Sequence, residues 1–249
     1  MNWKGKLFSL ISIFLIGYLG YLVVKTDGPP ANKLFFDFGT HVPDKYGLLG
    51  IDVSHYQGQI NWEQLSDMNV KNDSIEFAYI KATEGTALVD DQMQTNINGA
   101  NKQGVSAGFY HFFRPQESAI KQADFFVEKA YKYNYQLLPV LDVEVLDGVS
   151  KKQLQDSVLI FLNHVEKRIE ERPIIYTNAN FFTENISESE WAANEYYWIA
   201  QYATSCELMD EENVLIWQFS DKGTISGINE KVDLNKAKSK FFEIARIKK

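Results

Sequence analysis

Cysteine occurs once in these 249 residues, histidine four times and proline six times, and each scarcity removes a class of explanation. The lone Cys206 forms no internal disulfide, so it reads as a small buried hydrophobe and stability has to come from a packed core. His111 stands beside Tyr110 with no second His or Cys near it, so no metal site is expected and the expected cofactor is none. There is no glycine-rich phosphate loop, no G-x-S-x-G elbow and no H-E-x-x-H, which takes away the motifs of nucleotide, serine-hydrolase and zincin chemistry. Positive charge is also short: 25 Lys and Arg face 33 Asp and Glu, for a net charge of −8. Three of those bases, Lys4, Lys6 and Lys25, lie in the first 25 residues, which hold no acid, so the remainder carries 22 bases against 33 acids, or −11. A surface that acidic repels phosphate backbones, and no nucleic-acid partner is expected.

What is present begins with an uncharged apolar run from Leu7 to Val24. A helix crossing the hydrocarbon core takes about 17 to 25 such residues. No A-x-A-like site and no lipobox cysteine follows the run, so residues 1–25 are expected to be an uncleaved membrane anchor rather than a removed signal segment. The excess of Lys before the run predicts a cytoplasmic N-terminus and a translocated remainder. The expected location is therefore membrane-anchored with the main domain outside the cytoplasm, or secreted if the segment is cleaved. Residues 26–47, with Pro and Gly and no sustained period, read as a linker and entry segment.

From residue 48 to 249 short β-branched runs alternate with amphipathic ones. Strands are predicted at Leu48–Val53, Glu76–Ala82, Ser106–Phe113, Leu137–Val145, Arg172–Thr177, Tyr196–Tyr202, Val214–Phe219 and near Val232. Helices are predicted at Asn61–Met68, Asp90–Gln103, Glu117–Tyr133, Lys151–Glu170 and Asn235–Ile247. The class is α/β, an irregular (β/α)8 TIM-like barrel preceded by an N-terminal transmembrane helix. A single monomeric domain is expected.

Asp142 and Glu144 sit in Leu137-Leu-Pro-Val-Leu-Asp-Val-Glu-Val145, where a period of two sends both carboxylates to one face with Cα atoms about 6 to 7 Å apart. Two like charges at an apolar strand end must be solvated, be paired with a barrel Lys or Arg, or raise one pKa. A raised carboxyl is what a general acid needs to protonate a glycosidic oxygen, while an ionised neighbour stabilises positive charge. Asp52 ends its own strand and Asp233 follows Val232, so four acids gather at the rim where barrel enzymes build their sites. Taken singly, Asp52 reads equally as a turn former and Asp233 as an N-cap for the last helix. Lys81 joins the site either as a substrate contact or as a neutralising cation. Sugar rings stack on aromatic faces, and the candidates are Tyr56, Tyr110, Phe112, Tyr176, Trp198, Tyr202 and Trp217. The expected substrate contacts are Lys81, Tyr110, Tyr176, Trp198 and Gln218.

Taken together, Gly50-Ile-Asp-Val-Ser-His-Tyr-Gln-Gly58, Ile60-Asn-Trp62, Tyr79-Ile-Lys-Ala-Thr-Glu-Gly85, Gly108-Phe-Tyr-His-Phe-Phe-Arg-Pro115, Pro139-Val-Leu-Asp-Val-Glu144, Ile175-Tyr-Thr177, Trp217-Gln-Phe-Ser220 and Val232-Asp-Leu-Asn235 resemble the ordered blocks of glycoside hydrolase family 25. The resemblance runs from Gly50 to the C-terminus. It implies an irregular β/α barrel and an N-acetylmuramidase acting on peptidoglycan glycan strands at the β-1,4 bond between N-acetylmuramic acid and N-acetylglucosamine. By matching residues it implies Glu144 as the acid, with Asp142, Asp52 and Asp233 as an acidic floor. It also implies net retention assisted by the substrate's 2-acetamido group, with Asp142 orienting or stabilising the oxazolinium, while the residues alone are equally compatible with a water-activating inverting route. Two positions depart from the family pattern: Tyr56 stands where a Trp is usual, and Asn61 where an acid often precedes Trp. The competing readings are a non-catalytic peptidoglycan-binding protein of the same fold and a divalent-metal hydrolase using the carboxylates as ligands.

Overall fold

The computed structural model describes residues 38–70 and 73–247. Its strands are β1 (Leu48–Val53), β2 (Asn69–Val70), β3 (Asp73–Glu84), β4 (Leu88–Val89), β5 (Ser106–Phe112), β6 (Val140–Asp142), β7 (Ile174–Asn178), β8 (Tyr197–Ala200), β9 (Val214–Gly223) and β10 (Val232–Ala237). Eight of them close into a barrel, because β1 pairs with β3 on one side and with β10 on the other. The short β2 and β4 pair only with β3.

Period-two alternation builds two cores from one set of strands. Phe77, Tyr79, Val140, Ile174, Tyr176 and Trp198 point into the barrel, while Ala78, Ile80, Leu141, Ile175 and Ile199 point out against the helices. Gly50 lies opposite the Phe77 ring, where a Cβ would come within 2.3 Å of it, so this glycine lets an aromatic fill the barrel. Phe241, on the helix Phe241–Ala245, closes the lower end with its ring 4.9 Å from that of Phe77.

The expected (β/α)8 barrel is corrected to a mixed barrel with few helices. β10 runs antiparallel to both β9 and β1. The reason is connection length: residues 224–231 are too few for a parallel crossover, which takes about a dozen or more. Long helices cover only part of the circuit, at Met93–Lys102, Ala119–Ala130 and Lys151–Ile169. The longest starts at a Ser150–Gln153 capping box and stops at Glu170 in the left-handed conformation. Between β8 and β9 there is only the short 3-10 turn Glu207–Asp210. The helix expected over Asn235–Ile247 is instead the end of β10 followed by Phe241–Ala245. The N-terminal membrane helix expected over residues 1–25 lies outside the described residues, and among the described residues no helix is long and apolar enough to cross a membrane.

Where helices are missing, residues 38–47 act as a strap. Phe38 is buried and its carbonyl accepts from the Thr224 N–H at 2.8 Å. Tyr46 meets Trp217 edge to face at 6.3 Å, and Val42 packs on the same core. Each such side chain contributes about 1.5 to 3 kcal/mol when fully buried. A chain starting at Leu48 should therefore unfold at lower urea concentration than one starting at Phe35, with a loss on the order of several kcal/mol. Equal midpoints in urea melts of the two would show that the strap does not support the barrel.

Candidate active site

The inward rows that fill the barrel also climb to its open rim and end in polar side chains there. Phe77 and Tyr79 lead to Lys81, Val140 leads to Asp142, and Gly50 leads to Asp52. On β10 the inward row is Asn235 then Asp233, and because this strand runs the other way Asp233 reaches the same rim from the strand's amino end. Asp52 and Asp233 are direct cross-strand partners. β6 stops at Asp142, so Glu144 stands just past the strand, half-buried. The result is a cleft of about 380 Å3 onto which all four acids open. Neither Asp52 as a turn former nor Asp233 as a helix cap describes what these residues do.

The acids form two touching pairs. Asp142 Oδ1 is buried with no amide, hydroxyl or cation donating to it, and the side chain instead shares a hydrogen bond with the Glu144 carboxyl. Two carboxyls bond only through a proton. Burial raises both, and the charge of Glu144 pushes Asp142 up further, against a smaller opposing effect of Lys81.

The second pair is Asp52 with Asp233. Burial is the largest influence on both; hydrogen bonds from Asn235 and Gln218 pull Asp52 back down, whereas the Asp52 charge drives Asp233 up to about 9. Asp233 therefore keeps its proton at neutral pH. A carboxyl raised from 3.8 to about 9 on folding stabilises the fold fully below pH 3.8, and that contribution is lost as pH rises through about 9. Thermal melts should show the wild type losing stability relative to Asp233→Asn across that window. Parallel pH dependences in the two proteins would contradict the assignment.

Other predicted site residues fall on the cleft with one exception. Lys81, Tyr110, Tyr176 and Trp198 line it. Lys81 pairs with Glu84 at 2.6 Å, not with any of the four acids, and Arg114 holds the other Glu84 oxygen at 2.5 Å. Burial alone would raise Glu84, but these two cations hold it below the usual range. Phe112 lies between them, 5.2 Å from the Lys81 ammonium and 4.7 Å from the Arg114 guanidinium. Trp198 and Tyr176 meet edge to face at 4.7 Å in the floor. Gln218 is buried behind Asp52 and is absent from the cleft wall. Of the aromatic candidates, Tyr56 stands 74% exposed at the mouth, while Trp217 faces outward under the strap and away from the cleft.

His111 is fully buried, its Nδ1 bonded to the Thr83 hydroxyl at 2.8 Å and its Nε2 to Gln122 Oε1 at 3.1 Å, stacked on Phe161. Burial lowers it to about 4, so it is a neutral core residue. Sequence reasoning gave no role to Asn235, Glu84 or Arg114. Asn235 carried a usable signal, since it is two residues from Asp233 and so shares its face in a strand, but the segment read as a helix start. Arg114 had none, because it lies just past β5 and reaches Glu84 only when β3 and β5 pair in register.

The model of glycosyl hydrolases family 25 matches residues 51–228. Lysozyme M1 of Streptomyces globisporus is 35% identical over 208 residues, covering 78% of this chain and 68% of that protein. An uncharacterized Escherichia coli protein, YegX, is 36% identical over 221 residues, covering 88% of this chain and 76% of its own length. The crystal structure of a bacterial lysozyme from Streptomyces coelicolor superposes with a TM-score of 0.70 at 33% identity, covering 81% of this chain and 98% of that one. With the acids gathered at one rim and the match spanning most of the barrel, the chain belongs to glycosyl hydrolase family 25.

Proposed function

We propose that this protein is a muramidase that cleaves the β-1,4 bond between N-acetylmuramic acid and N-acetylglucosamine in peptidoglycan, with Glu144 as general acid and Asp142 as the group that stabilises a substrate-assisted intermediate. The observation that carries the reading is the Asp142 and Glu144 pair, two carboxyls in contact on the wall of an open cleft, each raised by burial. Retaining enzymes with a carboxylate nucleophile separate their two carboxyls by about 5 to 5.5 Å, and inverting enzymes by about 6.5 to 9.5 Å. A pair in hydrogen-bond contact leaves room for neither a sugar carbon nor a water between its members. The nucleophile is then the substrate's own 2-acetamido oxygen.

The pair also suits the proton traffic. An acetamido N–H donated to Asp142 favours the carboxylate there, which leaves the proton of the pair on Glu144. Glu144 protonates the bridging oxygen as the anomeric bond breaks. The acetamido oxygen closes on the anomeric carbon, and the Asp142 carboxylate offsets the positive charge of the oxazolinium. Glu144, now ionised, takes a proton from the water that opens the ring.

Peptidoglycan lies outside the cytoplasmic membrane, so the barrel works there, and the apolar stretch from Leu7 to Val24 supports export of the barrel domain. Mass spectrometry of muropeptides released by the full chain from defined peptidoglycan tests the bond. N-acetylmuramic acid is expected at every new reducing end. N-acetylglucosamine there, or no release by a folded protein, would overturn the reading.

A further inference from the structure

Behind the cleft wall, Asp52 Oδ2 accepts two hydrogen bonds, from Asn235 Nδ2 at 2.8 Å and from Gln218 Nε2 at 3.0 Å. The Asn235 amide is locked against flipping. The Trp198 indole N–H donates to Asn235 Oδ1 at 2.8 Å, and an indole can only donate, so the Asn235 nitrogen must face Asp52. The hydroxyls of Tyr176 and Tyr202 both donate to Gln218 Oε1 at 2.9 Å, and its nitrogen faces Asp52. Asn235 and Gln218 are both buried.

We propose that Asn235 and Gln218 are positioning residues for the hydrolysis: two buried amides that converge on one oxygen, hold Asp52 as the anion, leave the proton of its pair on Asp233, and so fix a negative charge beside Glu144. This rests on the reading of Glu144 as the acid. Amide nitrogens have no acceptor capacity, so Oδ2 is closed to a proton while both bonds persist, and a charged acceptor makes them stronger. The charge on Asp52 acts directly on Glu144 and raises its hold on a proton, which keeps the acid loaded nearer neutral pH.

Other groups face Asp52 from around the barrel. Asp233 on β10 touches it, Asp142 comes from the end of β6 and Glu144 from just beyond it. Lys81 on β3 acts on that pair, pulling Asp142 down. The hydroxyls of Tyr110, Tyr176 and Tyr202 stay protonated, since burial and these acids push them up. Asp221 on β9 acts on Asp233 and reinforces its protonation.

The test is the pH profile of kcat/KM on peptidoglycan for Gln218→Met, which keeps the bulk and removes the donor. The acidic limb should move up by about one unit, the scale of one lost hydrogen bond to a carboxylate, and the basic limb should move down, so the active range narrows. A profile lower in height but superimposable in shape would show a merely structural role and overturn the proposal. Carboxyl carbon NMR on the wild type decides independently of how the variant folds: Asp52 should be ionised and Asp233 protonated at pH 7, and the reverse would overturn it. Glu144→Gln in parallel separates the two ideas, because full activity there removes the acid assignment while the NMR result still judges the clamp.

Discussion

Glu144→Gln should lower kcat/KM on peptidoglycan by about 10²- to 10⁴-fold, the usual worth of a positioned general acid, or about 3 to 5 kcal/mol of barrier. Glutamine keeps the shape and the hydrogen bond to Asp142 but has no proton to give the leaving oxygen. Substrate affinity should change little, because the loss is felt where the bridging oxygen gathers charge. The fold should not suffer. Burial raises the Glu144 carboxyl, so ionising it costs stability as pH rises above the ordinary 4.5, and a neutral amide removes that cost. The variant should match or exceed the wild-type melting temperature at pH 8. Wild-type turnover with the melting temperature preserved would remove Glu144 from the chemistry.

The second large effect is expected at Asp142→Asn: a fall in kcat of about 10²- to 10³-fold, the cost of removing one preorganised charge-stabilising group, with KM little changed. The asparagine oxygen can still accept an acetamido N–H, so binding survives. It cannot ionise, so nothing offsets the oxazolinium charge, and its amide donates to Glu144 and favours that residue's deprotonated form. Stability should move the other way. The wild-type carboxyl is held well above its ordinary 3.8, so the folded state binds this proton more tightly than the unfolded chain, and its contribution is lost as pH rises. Relative to wild type, Asp142→Asn should gain stability between pH 5 and 8. Unchanged kcat, or a growing loss of stability with pH, would contradict the shared-proton arrangement.

Strand positions were legible because alternation is a local property: the inward row Gly50 and Asp52, the row ending at Asp142, and the outward Leu141 and Val143 all follow from a period of two. The direction of the last strand was not. A short polar connection at residues 224–231 and an amphipathic stretch after Val232 suit a strand followed by a helix as well as a returning strand, and only closure against β1 selects the latter. That choice changes how Asp233 reaches the rim and brings Asn235 beside Asp52, a contact between residues 183 apart in the chain.

Acid identity and spacing along each strand, and with them the family, were determined by the sequence by itself. Which acids share a proton, that Lys81 serves Glu84, that Gln218 stands behind Asp52, and that Trp217 belongs to the strap were decided only by tertiary structure. The physical reason is that a carboxyl's proton affinity depends on burial and on groups brought to it from other strands. Those distances exist only once the barrel has closed.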